Sequence, residues 1–221
     1  MAMFKTLNDL KKSIKNDSGG GSSRKSSFLT VANGESYKIR FLQELAEDAA
    51  GYNDERGAAI ALWVHHNPDN FRKSAVCTAG DEDSGYRCWA CEQVPKNAGW
   101  KAKQHMFINI AVFDPDTQNW SVKLLDQKFT AAHIAQTIVD YSGEYDTITD
   151  RDYKISRKGE KQQTQYTLIP LAVKPEPEPG DFEDGKVELT DLSKIYRKRT
   201  ISDQPSFYLA DSDGGKVDDW K

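Results

Sequence analysis

Polar and apolar residues alternate across residues 36–42: Tyr37, Ile39 and Phe41 share one face, Lys38 and Arg40 the other. A period of two predicts a strand with one face buried. Residues 59–66, with Ile60, Leu62, Trp63 and Val64, predict a second strand. Residues 105–113 predict a third; Asp114-Pro-Asp-Thr-Gln-Asn119 has turn chemistry, and 120–125 is its returning partner. The spacing turns helical over 130–141, through Ile134, Ile138 and Tyr141. Two more strands, 152–156 and 165–173, flank a basic turn at 157–161. Five or six short strands with one helix among them predict a mainly β fold, a small closed or partly open β-barrel of the OB-fold kind. A β-sandwich is the alternative.

Outside that block the pattern breaks. Residues 4–15 space Phe4, Leu7, Leu10 and Ile14 as an amphipathic helix, and 17–27 form a flexible Gly/Ser linker with a basic tip at Arg24 and Lys25. Pro175-Glu-Pro-Glu-Pro179 is a stiff linker. Residues 189–199 form a short segment with a basic cluster at Arg197, Lys198 and Arg199, and 210–221 a polar end expected to be disordered in isolation. The expected organisation is an arm at 1–27, a β core at 28–174 with a metal-binding subdomain near 63–100, and an acidic, largely disordered tail at 175–221.

Charge sharpens the division. The 221 residues carry 34 acidic and 30 basic side chains, a net charge of -4, and 12 of the acidic and 7 of the basic ones lie in 175–221. The remainder is close to neutral, so a nucleic-acid groove would have to be a local basic feature. No apolar run approaches the roughly 20 residues that span a bilayer, and the first residues lack a signal peptide's apolar core. A cytosolic protein is expected, with no membrane partner.

Residues 67–99 are polar and turn-rich, yet they hold all three cysteines. Cys88-Trp-Ala-Cys91 is a C-x2-C knuckle, Cys77 stands eleven residues before it, and His65 and His66 come earlier still. Three thiolates and one imidazole make a Cys3His set, the composition of a closed, tetrahedral, structural zinc site. Residues 78–87 are too hydrophilic to order themselves by burial, and one Zn2+ would give them a reason to fold. Neighbouring strand residues point to opposite faces, so only one of the two histidines should ligate. His65 is favoured, His66 is its alternative, and His105 is a third candidate. Buried, unliganded thiols are the competing reading.

Several aromatics adjoin basic residues, as in Phe71-Arg-Lys73, Tyr86-Arg87, Trp100-Lys101 and Arg151-Asp-Tyr153. Bases stack on aromatic faces while Lys and Arg follow phosphates, a combination suited to single strands. Phe107, Phe113, Trp63 and Tyr166, inside predicted strands, are expected in the core. Phe71, Tyr86, Trp89 and Trp100, around the knuckle, are expected to be exposed, and Tyr153 is left open.

The order helical tip, Tyr37-Lys-Ile-Arg-Phe-Leu42, histidine, Cys77 and Cys88-x2-Cys91 resembles the zinc-containing single-stranded DNA-binding proteins of tailed bacteriophages. Asp150-Arg-Asp-Tyr-Lys-Ile-Ser-Arg157 and Gln165-Tyr-Thr-Leu-Ile-Pro-Leu171 are also similar to that family, and the resemblance covers residues 28–173. It implies an OB-fold with an inserted zinc subdomain, one structural zinc ion on His65 or His66 with Cys77, Cys88 and Cys91, and no catalysis. It further implies sequence-independent binding of single-stranded DNA during phage replication, recombination and repair, in the cytoplasm of an infected bacterium. Phosphate contacts would then come from Lys38, Arg40, Arg72, Lys73, Arg87, Lys101, Lys103, Lys123, Arg151 and Arg157. Bases would stack on Phe71, Tyr86, Trp89, Trp100 or Tyr153. Ser23-Arg-Lys-Ser-Ser27 is similar to the family's motif for self-association along DNA, through Arg24 and Lys25. Asp218, Asp219 and Trp220 fall in the tail that, in the family, recruits replication and recombination proteins.

Two other classes compete. A zinc deaminase needs a His-x-Glu pair before its cysteine knuckle, and neither His65-His-Asn67 nor His66-Asn-Pro68 supplies the glutamate. A magnesium nuclease needs clustered carboxylates, and Asp81-Glu-Asp83 reads as a solvated loop. A zinc-ribbon interaction or transcription accessory module normally shows two knuckles, and this chain has one.

Overall fold

β4 (Lys103–Asp114) organises the sheet, because it is apolar on both faces and buried from His105 to Val112. In the computed structural model, which describes residues 28–70, 73–160, 163–173, 187–195 and 199–210, each of its edges is paired. One edge takes β5 (Asn119–Lys128) along its whole length, with Ile108 opposite Leu125 and Phe113 opposite Trp120. The other edge is shared. β2 (Ile60–His66) pairs with the first half of β4 and β1 (Ser36–Phe41) with the second. β1 passes the sheet on to β6 (Arg151–Lys158) and β6 to β7 (Gln165–Val173), while β3 (Ser74–Val76) extends it beyond β2. Every ladder is antiparallel. The mainly β expectation is met by a seven-stranded sheet, but no ladder joins β5 to β7 among the described residues, so the sheet is open at that seam.

Alternation along β4 builds two cores. Met106, Ile108, Ile110 and Val112 meet Ile39, Phe41, Leu125, Ile155 and Leu168 under the helix α2 (Ala135–Tyr145), which contributes Ala135 and Ile138. The helix starts later than the expected 130–141. Gln127 Oε1 accepts the backbone N–H of Ile134 (3.3 Å) and sits 3.1 Å from His133 Nδ1, which holds the chain after β5 in a turn before it can coil. The spacing of Ile134, Ile138 and Tyr141 survives, because all three still face the sheet.

Phe107 and Ala111, on the opposite face, are covered by residues from the expected tail. Leu192 packs with Val64, Phe107 and Leu124, and Val187 and Leu189 pack with Leu42, Ala111 and Trp120. Asn109 fastens this strap, donating Nδ2–H to Thr190 O and accepting Thr190 N–H, each at 2.9 Å. The tail expectation is therefore corrected for 187–195, which covers an apolar sheet face, and for 199–210, which packs on the cysteine-bearing lobe. The second of these stretches includes the short helix α3 (Asp203–Leu209), which the hydrophobic pattern did not predict. The amphipathic helix at 4–15, the linkers at 17–27 and 175–179 and the acidic end at 211–221 lie outside the described residues.

Two buried carboxylates tie distant segments. Asp152 Oδ1 accepts from Arg40 Nε at 2.7 Å, and Lys38 Nζ lies 3.4 Å from Oδ2. Glu44 accepts from Ile148 N, Thr149 N, Thr149 Oγ1 and Thr147 Oγ1. Gly51 lies against this cage so closely that a Cβ there would collide with Glu44, Thr147 and Thr149. Among the described residues no helix is long and apolar enough to cross a membrane.

Candidate metal centre

The three cysteines and one histidine converge from separate elements. β2 delivers His65, and Cys77 follows directly after β3, its partner strand. Cys88 is the N-cap of the helix α1 (Trp89–Gln93) and Cys91 lies one turn on, so the C-x2-C spacing puts both sulfurs on one side of a helical turn. The Nε2 of His65 and the three Sγ atoms all lie within 4.8 Å of one another. Cys77 Sγ to Cys91 Sγ is 3.5 Å and Cys91 Sγ to His65 Nε2 is 3.4 Å. A tetrahedral ion with metal–sulfur bonds of about 2.3 Å would separate its ligands by about 3.8 Å. The cluster is thus compatible with one metal ion.

The histidine is set for that role. His65 Nδ1 lies 2.5 Å from the carbonyl oxygen of Trp100, which can only accept, so Nδ1 carries the proton and Nε2 turns a lone pair to the sulfurs. The thiols share protons unevenly. Cys88 is held well below the usual thiol range, chiefly by the hydrogen bond from Cys77, while Cys77 is raised because it donates to Cys88 and is part-buried. Burial raises Cys91. One thiolate is thereby favoured before any ion arrives, and an ion would replace the shared protons. His66 faces the other way, as strand alternation requires, and His105 also lies outside the cluster.

The loop 78–87 is more ordered than its composition suggests. Thr78 Oγ1 donates to Arg87 O at 2.6 Å and Ser84 Oγ to Thr78 O at 2.7 Å, closing the loop upon itself. A further wall comes from α3. Gln204 Oε1 accepts Ala90 N–H at 3.3 Å and lies 3.5 Å from Cys88 Sγ, while its Nε2 donates to Thr78 Oγ1 and to Arg199 O. Tyr208 stacks on Trp89, with centroids 5.9 Å apart, and meets Trp100 edge-on at 4.9 Å. Sequence reasoning missed Gln204 and Tyr208, although Ser202-Asp-Gln-Pro205 before Phe207-Tyr-Leu209 is a recognisable helix start. Gln204→Ala should destabilise the protein by about 1–3 kcal/mol, because Ala90 N–H and Thr78 Oγ1 lose a buried partner. Chemical denaturation reads that loss.

The expected nucleic-acid residues divide sharply. Trp100, only 8% exposed, is corrected to core, because Trp89 and Tyr208 enclose it. Tyr153 is also core, packed edge-on against Phe41 at 4.9 Å, with its hydroxyl buried and its pKa raised by burial. Arg40, 5% exposed, is committed to Asp152, and Lys38 is half-buried over the rings of Phe113 and Trp120. Lys73 is buried, its Nζ donating to the carbonyl oxygens of Tyr208 and Ala210 where α3 ends. Arg157 ties β6 to the chain before β1 by donating to Val31 O at 3.0 Å. Arg151 pairs with Asp150 and covers the Tyr145 ring, and Lys123 is half-buried on β5. None of these burial patterns suits a phosphate contact at Arg40 or Lys73. Tyr86, Arg87, Lys101 and Lys103 are exposed as expected, and Trp89 is half-buried. Trp63, expected in the core, is 54% exposed. Phe71, Arg72, Arg24, Lys25, Asp218, Asp219 and Trp220 lie outside the described residues.

No family model, curated protein or solved structure matches this chain. Fold and site define a mainly β protein with one Cys3His cluster compatible with a single metal ion.

Proposed function

We propose that the protein binds single-stranded DNA without sequence preference, as a non-enzymatic OB-fold protein whose metal lobe is held by one structural zinc ion. The observation that carries this reading is the exposed indole of Trp63 on β2. Tyr86 and Arg87 add a second exposed aromatic and cation from the metal loop. An unburied tryptophan on a strand is poorly suited to a core and well suited to base stacking. Arg87 is only loosely engaged, since its pair with Glu92 is solvent-exposed.

The OB-fold reading is supported by chain order. β1, β4, β5, α2, β6 and β7 give three strands, a helix and two strands, as in a five-stranded, partly open Greek-key barrel, with the metal lobe inserted between β1 and β4. Zinc is the ion favoured by three thiolates and an imidazole, and four protein ligands leave it no open position for chemistry. The setting proposed, phage replication, recombination and repair in an infected bacterial cytoplasm, rests on the resemblance alone. So do self-association through Arg24 and Lys25 and partner recruitment through the acidic end.

Titration with a short oligo-dT, read by tryptophan fluorescence at two salt concentrations beside the matching duplex, tests the reading. Quenching by the single strand alone is expected, with a log–log salt slope of about -0.7 per phosphate contact. Trp63→Ala should weaken binding by about 1–3 kcal/mol, roughly 5- to 150-fold, without lowering the melting temperature. Full affinity in that variant would remove Trp63 from the interface. No response to either nucleic acid would leave the lobe as a protein-contact module.

A further inference from the structure

The two histidines that stay outside the thiolate cluster are brought to each other. On one face of the sheet, His66 of β2 and His105 of β4 approach with their Nε2 atoms 3.5 Å apart and ring centroids 5.5 Å apart. His105 is 1% exposed, and its Nδ1 lies 2.7 Å from Asp126 Oδ1 on β5. That carboxylate holds the proton on Nδ1, so Nε2 presents a lone pair toward His66. A carboxylate behind one ring nitrogen and a lone pair on the other is the arrangement of metal-ligating histidines. Two imidazole nitrogens on one tetrahedral ion, each bonded at about 2.0–2.1 Å, would sit about 3.4 Å apart. The observed spacing matches.

We propose that His66 and His105 form a second metal site, separate from the thiolate cluster, that takes a divalent transition ion. Imidazole donors select ions such as Zn2+, Co2+ or Ni2+ over Mg2+ and Ca2+. Two protein ligands leave the remaining coordination positions to other donors, and half-buried His66 is the less enclosed of the two rings. Lys103, on the same face of β4, and Lys128, the cross-strand partner of His105, oppose a bare dication, and Asp126 offsets part of that charge. The site therefore fills after the thiolate cluster and more weakly, and an anionic co-ligand such as a phosphate oxygen suits its open positions. The inference stands whether or not the protein binds DNA.

The full-length protein carrying one equivalent of zinc is titrated with Co2+ by calorimetry and visible absorption. One further equivalent is expected, with weak d–d bands and without the sulfur-to-cobalt charge-transfer band of a thiolate site. His66→Gln and His105→Gln should each abolish it while the first zinc equivalent stays. Asp126→Asn, which leaves both ligands in place, should weaken it about 10- to 100-fold. Wild-type protein that takes no ion beyond the first equivalent overturns the proposal. So does an extra equivalent that persists at full affinity in His66→Gln, the substitution at the less buried ring.

Discussion

With the proposed zinc in the cluster, Cys88→Ser is expected to release it and melt the lobe while the sheet survives. Cys88 is buried, caps α1, and accepts the hydrogen bond from Cys77 that favours its thiolate. A serine hydroxyl does not ionise at neutral pH and leaves three ligands. Structural zinc contributes about 10–16 kcal/mol in isolated zinc fingers, so loss of one thiolate should cost on the order of several kcal/mol here. Metal analysis after dialysis should find the ion gone, and amide exchange should accelerate across 77–91. Gln204 and Tyr208 rest on this lobe, so α3 should loosen with it. The β4–β5 and β1–β6 ladders share no residue with the cluster and should stay protected. A strong chelator should reproduce the effect in the wild type. Retention of metal with normal melting would remove Cys88 from the ligand set.

Asp152→Ala should lower stability by about 3–5 kcal/mol, because it strands the Arg40 guanidinium in the interior without its counter-charge. The pair is long-range, joining β1 to β6, and Arg40 Nη1 already lacks a hydrogen-bond partner. Urea denaturation should show a lower midpoint with an unchanged slope. Replacing both residues together with apolar side chains of similar volume should cost far less, since it removes the desolvation of both charges. A loss below about 1 kcal/mol in Asp152→Ala would mean that water reaches Arg40.

The strands were legible because a two-residue period is local information. Tyr37, Ile39 and Phe41 declare their shared face whatever they pack against, and the turn at 114–119 declares a hairpin. The ligand set was legible for a similar reason. C-x2-C is a local geometry, and three cysteines crowded into a hydrophilic stretch have few other uses. Alternation also gave the choice between His65 and His66 its form, since one residue had to face away.

Periodicity names a face but not what covers it. Trp63 and Trp100 look equally apolar in the chain, yet one is exposed and the other enclosed, because α3 returns from a distance to pack on Trp100 and Trp89. Arg40 and Lys73 look like exposed cations until Asp152 and the end of α3 claim them. The sheet's second face is apolar, but only the three-dimensional path of 187–195 shows which residues cover it. By itself the sequence determined the strands and a thiol set compatible with one metal ion, because those depend on neighbours in the chain. The tertiary structure decided which aromatics and cations remain free for a ligand, and that His66 meets His105, because those outcomes depend on contacts between residues far apart in sequence.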